Sequence, residues 1–166
     1  MDLIYFIIKA FLFILPAYIA NGTAIVFGGG KIPIDFWLEY KGKRILGDGK
    51  TWSGFFSGIF FGWSSGVVIG YFLNDADWNV LGFLLAFGAI MGDTIKSFIK
   101  RRVGIESGKP LLIFDQLDFV IGAIVFSSWF YFPGWETTIF LIIITPILHF
   151  GLNQIAYLLK FKKYRW

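Results

Sequence analysis

The run Leu141-Ile142-Ile143-Ile144 lies in the middle of an apolar stretch that extends over Thr137–Leu159. A transmembrane β-strand alternates polar and apolar residues, and this run does not alternate. A helix needs about 20 apolar residues to cross roughly 30 Å of hydrocarbon, and this stretch is long enough. Four more stretches of similar character occur along the chain: Leu3–Ala20, Phe55–Leu73, Val80–Ile99 and Asp115–Phe132. The sequence therefore predicts an all-α integral membrane protein with five transmembrane helices.

The composition of the chain supports this prediction and excludes other classes of protein. Hydrophobic residues make up 57% and charged residues 16% of the 166 residues, against about 45–50% and about 25% in soluble domains. A soluble fold of this size could not bury so much apolar surface, so we expect a single polytopic membrane domain over residues 1–166. The chain has no cysteine and one histidine, His149. This excludes a thiolate nucleophile, a metal–sulfur centre and a poly-histidine metal site.

The basic residues predict the orientation of the helices. Apart from Lys9, every lysine and arginine lies in or beside two long connections, Asn21–Gly54 and Lys100–Phe114, or in the C-terminal tail. The short connections Asn74–Asn79 and Pro133–Glu136 carry none, and they predict two helix hairpins, one of spans two and three and one of spans four and five. Because basic residues concentrate on the cytoplasmic side, we expect an outside N-terminus, two long cytoplasmic loops and a cytoplasmic C-terminus. The protein is then a multi-pass protein of the cell membrane.

Glycines recur at every fourth residue of the second span and form what we call the glycine ridge: Gly54, Gly58, Gly62, Gly66 and Gly70. Small residues at this spacing allow two helix backbones to approach closely in lipid. The ridge therefore predicts a close helix–helix contact, inside the monomer or in a homodimer. An alternative is that the ridge leaves room for a lipid tail.

Three carboxylates lie in or against predicted spans, where a central charged residue costs about 2.5–3.5 kcal/mol. Asp115 and Asp118 are three residues apart and share a helix face, and Asp93 lies in the third span. We expect all three to meet at the cytoplasmic side. Clustered carboxylates suit Mg²⁺, which prefers oxygen ligands and shares them with substrate phosphates. The alternative is a set of structural ion pairs with nearby basic residues: Lys96, Lys100 and Arg101.

A glycine-lysine motif ends the first long loop and consists of Gly47, Asp48, Gly49, Lys50 and Thr51. Glycines allow backbone N–H groups to point at an anion, and a lysine adds positive charge, so the motif suits a phosphate group. It is not a P-loop, because the first glycine of that motif would fall at Arg44. Thr51 can instead serve as the N-cap of the second span. Asn21, which we expect to close the first span, can cap carbonyl groups or contact a nucleotide.

The segment Gly92–Arg102 followed by Asp115–Asp118 resembles a known signature. A Gly-Asp pair, a basic pair shortly after it and two aspartates three apart are found in CTP-dependent lipid cytidylyltransferases such as the CDP-diacylglycerol synthases. Those proteins are longer. The compact archaeal branch, the CDP-archaeol synthases, is similar along nearly the whole chain, including Leu15–Asn21 and Gly47–Trp52.

The resemblance implies a reaction and its participants. CTP and 2,3-bis-O-geranylgeranylglycerol 1-phosphate would give the CDP-activated lipid and pyrophosphate, with Mg²⁺ as the cofactor. The expected partners are CTP, the lipid phosphate and the lipid bilayer, with no nucleic acid and with a homodimer as a possibility. The active site would face the cytoplasm.

The same hypothesis assigns roles to the residues singled out above. The metal is assigned to Asp93, Asp115 and Asp118, which are also the expected catalytic residues together with Lys96. The lipid phosphate is assigned to Lys96, Lys100 and Arg101, and its tails to the glycine ridge. CTP is assigned to Asn21, Lys43, Gly47, Asp48, Gly49, Lys50 and Thr51.

Other functions fit the sequence less well. A CDP-diacylglycerol synthase acting on phosphatidate differs only in the lipid, and the choice of lipid depends on the resemblance alone. The CDP-alcohol phosphotransferases also use clustered membrane aspartates, but their longer signature does not match this chain. A small cation or metabolite transporter typically shows paired repeats, and five spans do not divide into equal halves.

Overall fold

The computed structural model describes residues 2–105 and 114–158, which form five helices and one short β-hairpin. The helices are α1 (Leu3–Val26), α2 (Trp52–Leu73), α3 (Asp77–Arg102), α4 (Phe114–Ser127) and α5 (Trp135–Leu158). The strands β1 (Glu39–Tyr40) and β2 (Lys43–Arg44) pair antiparallel in the connection between α1 and α2. The predicted all-α architecture is confirmed, and the hairpin is an addition to it. The C-terminal tail and most of the loop before α4 lie outside the described residues.

Three helices are long and apolar enough to cross a membrane, namely α1, α2 and α3. Among the described residues, the apolar part of α5 is shorter. Helix α4 has 14 residues, which at 1.5 Å per residue span about 21 Å. The membrane character of the fold is thus confirmed for α1 to α3, while five full crossings and their orientation stay predictions.

Helix α1 is longer and α4 is shorter than the sequence predicts. The prediction that Asn21 closes the first span is wrong, because α1 continues to Val26. The hydroxyl of Thr23 donates to the carbonyl of Ile19 at 2.7 Å and so fits within the helix. Helix α4 ends at Ser127 instead of Phe132, since the chain turns there and Tyr131 N donates to the Ser127 carbonyl at 2.7 Å.

The glycine ridge packs inside the protein. Its five glycines are buried, and a Cβ added at Gly62 would lie 2.6 Å from Ala86 Cβ on α3 and 2.7 Å from Pro16 O on α1. The ridge is therefore the surface on which α1 and α3 meet α2, which confirms the helix–helix interpretation. The alternative interpretations of the ridge, as a groove for lipid tails or as a dimer interface, are wrong because these neighbours fill the space.

A second set of glycines joins α3 and α4. A Cβ added at Gly92 would lie 2.2 Å from the carbonyl oxygen of Asp118, and one added at Gly88 would lie 2.5 Å from that of Gly122. This close approach makes α3 the principal partner of α4. The α2–α3 hairpin is as predicted, and α4 contacts α5 less extensively than it contacts α3. The backbone of Asp118 is thereby held against the segment that carries Asp93.

Candidate active site at the basic end of the bundle

The three aspartates singled out by the sequence converge on one ammonium group. Lys96 Nζ lies 3.2 Å from Asp93 Oδ1 and 3.1 Å from Asp115 Oδ1, and it also contacts Asp118 Oδ2. Lys100 Nζ lies 3.1 Å from both carboxylate oxygens of Asp115. The predicted convergence of the carboxylates is confirmed, and so is the alternative that they form ion pairs with neighbouring lysines.

Two local features of the sequence produce this convergence. Asp115 and Asp118 lie in the first turns of α4, as predicted, and the glycine contacts bring these turns against α3. Asp93 and Lys96 are three residues apart on α3, so both point to the same side of the helix. The carboxylates of α4 and the charged face of α3 therefore meet at one place.

Lys50 extends the cluster from the glycine-lysine motif. Its Nζ forms an ion pair with Asp93 Oδ2, so the first loop and α3 meet at the site. Thr51 caps α2, because its Oγ1 accepts a hydrogen bond from Gly54 N at 3.2 Å. The same hydroxyl donates to the carbonyl of Gly28 at 2.8 Å. The capping interpretation of Thr51 is confirmed, and its hydroxyl has three partners within the chain, the third being the Ser53 hydroxyl at 3.1 Å.

The first loop is organised by Asp35, which the sequence analysis did not select. Its carboxylate is buried and forms an ion pair with Arg44 at 2.5 Å, and it accepts hydrogen bonds from Leu46 N at 2.9 Å and Gly47 N at 3.4 Å. Burial alone would raise the pKa of Asp35, but Arg44 and the two amides outweigh it and hold that pKa below its usual value. The signal in the sequence was an isolated acid within the apolar run Ile32–Leu38. Gly47 N thus points at Asp35 and not at a substrate anion.

The β-hairpin is tied to the end of α3 by Arg102, another residue that the sequence analysis did not assign. Arg102 Nη2 donates to the carbonyl of Arg44 at 3.0 Å, and its guanidinium lies 5.1 Å from the ring centre of Tyr40. Lys43, on the same hairpin, lies close enough that a Cβ added at Gly104 would be 3.3 Å from its Nζ. The hairpin therefore lies beside the C-terminal end of α3.

Other residues assigned from the sequence have different surroundings. Arg101 is buried and its Nη1 donates to the carbonyl of Ile105, so its side chain turns into the protein. Asp48 is exposed and pairs with Arg44 Nη1 at 2.5 Å. Asn21 is half-buried on α1. The described contacts bring none of these three into the cluster.

A cavity of about 270 Å³ opens beside the Lys50–Asp93 ion pair. Its walls come from the end of α1, the start of α2 and the middle of α3, and they include the apolar side chains of Ile25, Phe55 and Ile90. Gly49 also lines it. The cavity therefore combines an apolar wall with a charged end, as a substrate that carries both a polar and an apolar part requires.

The donor set of the cluster suits a hard divalent cation, because all three acids offer carboxylate oxygens. Lys96 stands between these oxygens, and in residues 2–105 and 114–158 no three acidic or imidazole side chains form a direct metal-binding group. Three lysine ammonium groups, those of Lys50, Lys96 and Lys100, balance the three carboxylates. The ammonium of Lys96 is carried by a flexible four-carbon stem. A cation that displaced it would find oxygen ligands already gathered.

Comparison with known proteins gives a consistent result. The family model for CDP-archaeol synthase, of the CarS-like type, matches residues 2–166. The CDP-archaeol synthase of Methanococcus aeolicus is 42% identical over the whole of both chains. That of Pyrococcus horikoshii is 44% identical over 96% of this chain and 97% of its own.

A solved structure agrees with these relatives. It is described as an intramembrane enzyme for archaeal membrane lipids biosynthesis, and it matches this fold with a TM-score of 0.82 at 36% identity. The match covers 88% of this chain and 93% of the other.

The helical fold and the charged cluster at its end thus define an intramembrane enzyme, a cytidylyltransferase that uses CTP. The chain belongs to the CDP-archaeol synthase family. The resemblance stated from the sequence motifs is confirmed, and with it a role in archaeal membrane-lipid biosynthesis.

Proposed function

We propose that this enzyme transfers CMP from CTP to an isoprenoid ether lipid phosphate, 2,3-bis-O-geranylgeranylglycerol 1-phosphate, and releases pyrophosphate in a reaction that requires Mg²⁺. The observation that carries the proposal is the convergence of Asp93, Asp115 and Asp118 around Lys96. Family membership supports the lipid class. We further propose that residues 1–166 act as one catalytic unit in the cell membrane, with the site facing the cytoplasm.

The chemistry of the substrates explains why the site contains lysines and carboxylates. A lipid phosphate is already an anionic nucleophile, so the reaction needs no general base. An oxygen of this phosphate attacks the α-phosphorus of CTP, and the bond from that phosphorus to the β-phosphate breaks, with its electron pair leaving on pyrophosphate. Such reactions depend on positioning and on the neutralisation of charge.

The roles of the residues follow from their places in the cluster. When bound, Mg²⁺ would neutralise charge on the phosphates, held by Asp93, Asp115 and Asp118. Lys96 would pair with a phosphate oxygen in place of these carboxylates. Lys50 and Lys43 lie on the side of the first loop and bind the triphosphate. Lys100 orients Asp115 through both of its oxygens.

The structure changes some assignments within this proposal. Arg101 turns inward, so we assign the lipid phosphate to Lys96 and Lys100. Gly47 and Thr51 shape the loop that presents Lys50 and do not themselves contact the nucleotide. The lipid tails require a place other than the glycine ridge, and the apolar wall of the 270 Å³ cavity, with Ile25 and Phe55, offers one.

The proposal is tested with purified protein, labelled CTP and Mg²⁺. We expect pyrophosphate release only when the isoprenoid ether phosphate is added, and none with the same lipid bearing a free hydroxyl in place of the phosphate. Preference for phosphatidate would identify a CDP-diacylglycerol synthase instead. Absence of release with either lipid would contradict the proposal.

A further inference from the structure

Two consecutive aromatic residues in the first loop have a left-handed backbone. Phe36 and Trp37 have φ values of 47° and 62°, a conformation that is rare for bulky residues. Three hydrogen bonds hold it: Phe36 N to Pro33 O at 3.1 Å, Trp37 N to Asp35 Oδ1 at 3.3 Å and Leu38 N to Asp35 O at 2.8 Å. The buried Asp35 thus fixes a strained turn. We call residues 36–38 the aromatic turn.

The strain of the aromatic turn is not offset by burial within the chain. Phe36, Trp37 and Leu38 remain exposed at 58%, 58% and 59%. A strained backbone that persists generally serves a function, and here it directs three apolar side chains outward. Large exposed apolar side chains grouped together mark a surface that another apolar phase covers.

A column of aromatic side chains on α2 identifies this apolar phase as the lipid bilayer. On α2, Trp52, Phe56 and Phe60 recur at every fourth residue, and Phe56 and Phe60 are exposed on a helix that is apolar enough to cross a membrane. The rings of Trp52 and Phe56 stack with centres 5.4 Å apart, and the ring of Phe36 lies 5.9 Å from that of Trp52. The exposed aromatic side of α2 is therefore joined to the aromatic turn through the contact of Phe36 with Trp52.

The exposed charges that flank the turn in the sequence are Lys31, Glu39 and Lys41, and together they carry one net positive charge. Aromatic side chains concentrate at the boundary between hydrocarbon and water, and basic residues at the same level attract anionic headgroups. The position of the aromatic turn, its ring contact with α2 and the net positive charge beside it thus all point to the headgroup layer of a lipid bilayer.

We propose that the aromatic turn inserts into the headgroup layer of the bilayer at the N-terminal end of α2 and binds a surface of anionic lipid there. Asp35 is then a positioning residue that holds both this membrane contact and, through Gly47, the loop that presents Lys50. The proposal does not depend on which lipid phosphate the enzyme uses.

The test exploits the absence of cysteine from the chain. Nitroxide labels are placed by Trp37→Cys and, as a second site, Leu38→Cys in protein reconstituted in vesicles of neutral lipid with an anionic fraction. Phe60→Cys provides the lipid reference and Asp75→Cys, at the exposed turn before α3, the water reference. Collision rates with oxygen and with a water-soluble nickel chelate are measured by power saturation.

We expect the ratio of oxygen to nickel collisions at residues 37 and 38 to exceed that at residue 75 several-fold and to approach that at residue 60. Replacing Lys31 and Lys41 together by glutamine should shift this ratio toward the water value. A ratio equal to that at residue 75 at both sites would overturn the proposal. Low collision rates with both reagents would also overturn it, because a protein surface would then cover the turn.

Discussion

Lys50 and Asp93 lie 43 residues apart in the chain, and their side chains form an ion pair where the first loop meets α3. This pair connects the glycine-lysine motif to the three carboxylates, two features that the sequence presents separately. It also borders the cavity. The site is therefore assembled from a loop and two helices, and each of them can be tested by substitution.

Substitution of Lys50 tests the link between the loop and the cluster. Lys50→Met removes a charge-assisted contact worth about 1.5–3 kcal/mol, so we expect kcat/KM for CTP to fall by roughly 10- to 100-fold. Lys50→Arg keeps the charge and should recover part of the loss. The measurement is steady-state kinetics with CTP varied. Lys9→Met, at the far end of α1, is the control, and an equal effect of both methionine variants would contradict the assignment.

Substitution of Lys96 tests whether its ammonium group occupies the position at which Mg²⁺ would bind between the three carboxylates. Lys96→Gln leaves three carboxylates without their common partner, and loss of one member of a buried pair costs about 3–5 kcal/mol. We expect the variant to unfold at a lower temperature than the wild type in the presence of a chelator. Added Mg²⁺ should raise its midpoint more than that of the wild type, because the cation binds the folded state without displacing an ammonium.

The readout for Lys96→Gln is the midpoint of thermal unfolding, with and without Mg²⁺, and so does not depend on activity. Lys9→Met again serves as the control. A Lys96→Gln variant that gained no more from Mg²⁺ than the wild type would count against a metal at this cluster.

The glycine ridge predicts that even a methyl group is destabilising. In Gly62→Ala the new Cβ would meet Ala86 Cβ at 2.6 Å and Ala20 Cβ at 2.8 Å. Helices α1 and α3 must therefore move away from α2. Overpacking of this kind costs about 1–3 kcal/mol. Gly22→Ala is the matched control, because nothing lies within 4 Å of its added Cβ. The midpoint of thermal unfolding should be much lower for Gly62→Ala than for the wild type, whereas that of Gly22→Ala should equal or exceed the wild-type value. The reverse order of the two variants would contradict the packing described.

Asp35 predicts a dependence of loop stability on pH. Its pKa in the folded protein lies below the ordinary value, because the effects of Arg44 and the amides exceed that of burial. The carboxylate therefore stabilises the fold above its ordinary pKa, and this contribution is lost as the pH falls toward the lowered value. The difference in thermal midpoint between the wild type and Asp35→Asn should be largest near neutral pH and shrink in acid. Asp48→Asn, at an exposed carboxylate that also pairs with Arg44, is the matched control.

Much of the fold could be predicted because it depends on local patterns. Apolar length predicts helices, the four-residue spacing of glycine predicts a close helix contact, and the spacing of Asp115 and Asp118 predicts a shared face. All three are present in the structure. The ends of α1 and α4 differ from the prediction, because the Thr23 hydroxyl bonds within the helix and the Ser127 carbonyl accepts the Tyr131 amide at a turn. Neither contact changes the hydropathy of the sequence.

The parts of the site that could not be predicted depend on contacts distant in sequence. The central position of Lys96 requires the register of α3 against α4, which the backbone contact between Gly92 and Asp118 sets. The role of Asp35 requires a loop with residues in left-handed conformations, and nothing in the hydropathy pattern indicates these. Spacing along one helix identifies neighbours on that helix, but it contains no information about the helix opposite.

The central claim is that the three carboxylates act together on the phosphates, and Asp118→Asn tests it most directly. Transfer of labelled CMP from CTP to the lipid phosphate is measured at saturating Mg²⁺, alongside Asp77→Asn, which makes the same change at the far end of α3. We expect Asp118→Asn to lose activity by at least 10²-fold, about 2.7 kcal/mol or more of transition-state stabilisation, while Asp77→Asn stays near the wild type. Near wild-type transfer by Asp118→Asn in a correctly folded protein would contradict the account.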